Sequence, residues 1–69
     1  MERTSVLSTN IASIGFDKDS ATLEIEFLNG SVYQYFDVPM SVYSELMNAG
    51  SHGRYLAQNI KGVYRYSKV

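Results

Sequence analysis

Two Tyr-x-Tyr pairs, Tyr33/Tyr35 and Tyr64/Tyr66, carry the clearest chemical potential in this chain. Alternate residues of a strand share one face at a spacing of about 7 Å, so each pair would set two rings side by side. Nucleobases stack on rings placed this way, each contributing about 1–3 kcal/mol. Lys61, Arg65 and Lys68 interleave or flank the second pair, and Arg54 lies a little upstream; cations in these places could meet phosphates. Tyr is also ordinary filler in small β-rich domains, so the rings have a structural use beside the chemical one.

The remaining inventory argues against catalysis. His52 is the only imidazole and there is no Cys, which leaves too few soft ligands for zinc and no thiol nucleophile. Glu24 and Glu26 alternate onto one strand face. Carboxylates on an open face stay solvated and ionised, with nothing to raise a pKa for acid–base work. No Gly-x-Ser-x-Gly elbow and no phosphate-binding glycine motif is present. Gly50, Ser51 and Gly53 put backbone amides at a helix start, where a phosphate could sit, but ordinary capping by Ser51 accounts for the same residues. The expectation is a non-enzymatic module with no cofactor, no metal and no small-molecule substrate.

The elements that must position these residues follow from periodicity. Ala12, Ile14 and Phe16 alternate with Ser13, Gly15 and Asp17, and Leu23, Ile25 and Phe27 alternate with Thr22, Glu24 and Glu26. Both runs read as strands, joined by the turn Asp17-Lys18-Asp19-Ser20. Asn29-Gly30 then signals a hairpin into a third strand, from Ser31 to about Asp37. A two-residue loop sets Tyr33 and Tyr35 opposite Glu26 and Glu24, on the outer face. A three-residue loop, with Gly30 left-handed, sets them opposite Ile25 and Leu23, facing the core. The longer loop is preferred because it puts two large rings over a core otherwise thin.

Pro39 suits the first turn of a helix. Val42, Tyr43, Leu46 and Met47 form an apolar stripe ending near Gly50. Ser51 caps a second helix carrying Tyr55, Leu56 and Ile60, with Gly62 after it. Residues 63–66 alternate, as a fourth strand or an extended tail. The fold class expected is α+β: a three-stranded antiparallel meander followed by two short helices on one face. Its core would hold Ile14, Phe16, Leu23, Ile25, Phe27, Val42, Leu46, Leu56 and Ile60.

At 69 residues this is one domain spanning 1–69, with residues 1–9 expected to be loosely ordered. A chain this short buries only about 60% of its unfolded surface, and self-association would ease that margin. The net charge of −1 is unevenly spread. Asp17, Asp19, Glu24, Glu26, Asp37 and Glu45 crowd the middle against Lys18 alone, while Arg54, Lys61, Arg65 and Lys68 have no acid among them. Such asymmetry can mark a polyanion-binding end, or the two parts can attract each other within the fold. No signal-peptide pattern or membrane-length apolar run is present, so a cytoplasmic location is expected.

Ser8-x-Asn10-Ile11, Ile14-Gly15-Phe16-Asp17, Leu23-x-Ile25-x-Phe27-x-x-Gly30, Val32-Tyr33-x-Tyr35-x-x-Val38-Pro39, Ala49-x-Ser51-x-Gly53-Arg54-Tyr55 and Ile60-Lys61-x-x-Tyr64-x-Tyr66 follow in an order that resembles the KTSC domain. That family occurs at the C-terminus of some lysyl-tRNA synthetases and as short free-standing bacterial proteins. The resemblance covers about Ser8 to Tyr66 and implies the fold. It supplies no catalytic residues to transfer, and RNA binding is the activity suggested for such domains. The chain departs at Leu56-Ala57, where an aromatic and then Asn are expected; Asn59 is the nearest replacement. The candidate nucleic-acid contacts are Tyr33, Tyr35, Arg54, Lys61, Tyr64, Arg65, Tyr66 and Lys68. A protein partner or a second copy of the chain is the alternative.

Overall fold

The structure, a computed structural model, describes residues Met1–Val69. It is an α+β fold: strands β1 (Arg3–Ser5), β2 (Ile11–Asp17), β3 (Thr22–Phe27) and β4 (Val32–Tyr35), helices α1 (Met40–Asn48) and α2 (His52–Asn59), then β5 (Tyr66–Lys68). The strands form one antiparallel sheet in sequential order. The expected meander is present, with one strand added at each edge.

The segment 1–9 is not loose throughout. Arg3, Thr4 and Ser5 pair with Gly15, Ile14 and Ser13. Arg3 fixes this strand by reaching Glu24 at 2.7 Å and Glu26 at 3.8 Å, a tie that three exposed residues do not advertise in sequence. At the other end, the last strand begins later than residues 63–66 suggest. The Ile60 carbonyl accepts from both Val63 N–H and Tyr64 N–H, and Gly62 takes φ +78°. Residues 60–64 are therefore a turn, and pairing with β4 starts only at Tyr66.

The hairpin between β3 and β4 uses the three-residue loop. Ile25 pairs with Tyr33 and Leu23 with Tyr35. Phe27 N–H donates to Ser31 O and Gly30 N–H to Phe27 O, with Gly30 at φ +91°. A left-handed residue is what this turn needs, and Gly supplies it without strain. Both tyrosines therefore lie on the core side.

The core holds Ile11, Ile14, Leu23, Ile25 and Tyr35 from the sheet, Val38 from the connection, and Leu46, Leu56 and Ile60 from the helical layer. Phe16, Phe27 and Val42, expected inside, are only partly buried against it. Ile11 enters because the pairing of β2 with β3 shifts between Ile11 and Ser13; a bulge changes the face on which earlier residues fall. Val38 is drawn in as its N–H donates to Ala21 O at 2.9 Å, after Asp37 turns the chain at φ +58°. Ser51 caps α2 as expected, its Oγ accepting from Arg54 N–H. Helix α1 ends at Ala49 in extended conformation rather than on a left-handed Gly50.

The opposite sheet face is polar and knitted together. Glu24 accepts from the Gln34 amide and from Arg3, and Glu26 accepts from the Ser13 hydroxyl. Glu24 is thus not a freely solvated carboxylate: its side chain is only 11% exposed. The Gln34 hydrogen bond, followed by the Arg3 guanidinium, holds its pKa below the usual carboxylate value against the opposing effect of burial.

Candidate nucleic-acid interface

Tyr33 and Tyr35 reach one face because they alternate on β4, and Tyr66 joins them because it is the register partner of Tyr35 across β4 and β5. The Tyr66 ring lies 5.8 Å from Tyr33 and 6.0 Å from Tyr35, tilted about 40° to each (42° and 39°). Phe27 completes the group, meeting Tyr33 edge-on at 5.7 Å and 87°. The Lys61 ammonium sits 5.6 Å from the centre of the Phe27 ring, a cation–π distance.

These rings border an open cleft of about 580 Å³, lined by Phe27, Asn29, Ser31, Tyr33, Tyr35, Lys61, Gly62 and Tyr66. Its lining contains no carboxylate. Tyr35 forms the floor at 3% exposure, and burial, with Tyr33 and Tyr66 close by, raises its phenol pKa. Tyr66 stands at 62% exposure. Lys68 is the register partner of Tyr33 and so shares this face. Helix exit and turn bring Lys61 to the rim: its N–H donates to Leu56 O just before the left-handed Gly62.

Of the sequence candidates, Tyr33, Tyr35, Lys61, Tyr66 and Lys68 therefore share one face. The other three do not. Tyr64 lies in the turn before β5 and packs against the core, so Tyr64 and Tyr66 are not a strand pair. Arg65 points elsewhere, with its guanidinium 2.9 Å from Asp37 and 5.6 Å from the Phe36 ring. Arg54 is exposed in the first turn of α2, beside Gly50, Ser51 and Gln58. Phe27 was expected in the core and instead serves the cleft. Its position next to the hairpin loop was the available signal.

Neither His52 nor Asn59 joins this surface. His52 is half-buried, and its Nδ1–H donates to Leu46 O at 2.8 Å; a carbonyl can only accept, which fixes the tautomer. Asn59 donates to the Tyr55 carbonyl one turn earlier, and Leu56 is fully buried. Gly53 lies against Asn10, so its value is close packing rather than an open amide for a ligand. No helix is long and apolar enough to cross a membrane.

Comparison with known proteins places these features in a wider set. The KTSC domain matches residues 7–66. A lysine–tRNA ligase of Trichormus variabilis is 44% identical over 78% of this chain, but the match spans only 10% of that protein. The chain therefore covers about a tenth of the length of the ligases it resembles. An uncharacterized protein of Stutzerimonas stutzeri is 37% identical over 100% of the chain and 99% of its own length. The crystal structure of a KTSC domain protein from Yersinia pestis superposes with a TM-score of 0.93 at 40% identity, covering 99% of this chain and 96% of that one.

Proposed function

We propose that this chain, which belongs to the KTSC domain family, is a non-enzymatic module that binds single-stranded RNA in the aromatic cleft. One observation carries the proposal: Tyr33, Tyr35 and Tyr66 converge with Lys61 on a cleft whose lining holds no carboxylate. The exposed Tyr66 ring offers a stacking face, and the ammonium offers a phosphate contact. Glu24 and Glu26 lie on the other sheet face, engaged with Arg3, Ser13 and Gln34, so they do not cancel the cleft's charge. Relatives named lysine–tRNA ligase have RNA in the substrate of their name, which agrees with an RNA ligand here.

Fluorescence anisotropy with a labelled RNA strand tests this. With Lys61 and Lys68 as the phosphate contacts, the slope of log K against log salt is expected near −1.4, from about −0.7 per contact. Replacing both with Ala should flatten it, whereas Arg54→Ala and Arg65→Ala should leave it unchanged. No binding at about 50 mM salt, or equal damage from the arginine variants, would remove the cleft from consideration.

A second reading has its own observation. Both edge strands, β1 and β5, are exposed at every residue, and open edges can pair with another chain. Sedimentation across a concentration range decides it: a constant monomer mass excludes self-association through an edge.

A further inference from the structure

Resting on the RNA reading above, we infer that the cleft accepts one unpaired base, stacked on the exposed ring of Tyr66, with its flanking phosphates held by Lys61 and Lys68. The geometry of the rings sets this limit. A platform for successive bases needs several ring faces open in the same direction. Here Tyr35 is 3% exposed and offers no face. Phe27 has the Lys61 ammonium over its ring and presents itself at 87° to Tyr33. Tyr33 and Tyr66 stand 5.8 Å apart at 42°. Inserting a base between them would require about 7 Å, two contact distances of about 3.5 Å, so these two rings already touch each other. Tyr66, 62% exposed, is left as the one broad face.

The cations fit the same count. Lys61 lines the cleft, and Lys68 shares the strand and face of Tyr66 two residues on. Arg65 lies between them in sequence but is engaged with Asp37. Two cations beside one ring match a base with a phosphate on either side. A duplex hides its bases' faces within the stack, so the occupant is an unpaired nucleotide in a loop, bulge or strand end.

A length series of labelled oligoadenylates, from one to eight nucleotides, tests the limit. Affinity is expected to reach its full value by about three nucleotides and afterwards to rise only in proportion to the number of available registers. Tyr66→Leu should weaken the trinucleotide about tenfold or more, and Lys61→Met, which keeps the aliphatic stem, should lessen the salt dependence by about half. A fully paired RNA of the same length should bind markedly less well. Affinity climbing steeply with every added nucleotide through eight, or a salt slope steeper than about −2, would overturn the one-base site and leave RNA binding intact. No binding of any length would overturn both. Unchanged binding by Tyr66→Leu would place the base elsewhere and refute the assignment.

Discussion

Gly53 lies against a side chain that must turn aside if a Cβ is added. A Cβ there would lie 2.5 Å from Asn10 Oδ1, and that oxygen already accepts from the Ser8 hydroxyl at 3.0 Å. Because the amide end of Asn10 is exposed and can swing aside, Gly53→Ala is expected to change stability by less than about 1 kcal/mol, the loss of the Ser8–Asn10 hydrogen bond offsetting the better helix propensity of Ala. Urea denaturation measures this, and on an Asn10→Ala background the same change should be stabilising. A loss above about 2 kcal/mol in the single variant would mean that Asn10 is held in place. Core residues differ in the same assay. Leu23, fully buried, should lose about 2–5 kcal/mol on change to Ala, and half-buried Phe27 only about 1.5–3. Equal losses would mean that the hairpin end is packed more tightly than its exposure indicates. Ser51 as a cap was legible from residue type. The contact of Gly53 with Asn10 was not, because its partner lies 43 positions away.

Strand β1 is tied to the sheet by a side chain as well as by its backbone pairing with β2. Arg3 lies across Glu24 and Glu26, and Gln34 completes the coordination of Glu24. Because the folded-state pKa of Glu24 is depressed, its contribution is present above the unfolded value of about 4.3 and is lost as pH falls through the folded value. Thermal melts between pH 7 and 3 should therefore show stability falling below about pH 4, with a shallower fall in Glu24→Gln. An identical pH profile in that variant would show that other carboxylates carry the effect. The meander, the hairpin register and α2 were legible because period-2 and period-3.6 patterns and turn residues are local signals. Of the two edge strands, the C-terminal one was legible, though read at 63–66 rather than Tyr66–Lys68, and β1 was not. β1 has no buried residue to betray it, and β5 is displaced by a turn that folds Val63 and Tyr64 back onto Ile60. The site divided along the same line: Tyr33 and Tyr35 were paired correctly by the hairpin, whereas Tyr64, Arg65 and Arg54 were separated from Tyr66 by that turn and by the helix.

At the scale of the molecule, the two sheet faces divide the labour. One carries the helices, the core and the aromatic cleft; the other carries the Arg3–Glu24–Gln34 and Ser13–Glu26 contacts. A near-neutral protein, net charge −1, can present two lysines on one face because most of its acids lie elsewhere. The sequential strand order has a consequence in time. From β1 to β4 each strand pairs with the next in sequence, and local pairings of this kind form early and fast. β5 is different, since α1 and α2 must intervene before Tyr66 meets Tyr35. Its pairing closes the longest loop in the sheet, and it does so with three exposed residues. Native-state hydrogen exchange should accordingly find the amides of β5 opening at lower free energy than those of β2 and β3. Protection equal to that of β3 would contradict this order. Tyr66 and Lys68 ride on that strand, so by the same expectation the cleft should be the last feature to assemble and the first to come apart. A ligand held there would act as a late fastener on the fold, slowing the release of its final strand.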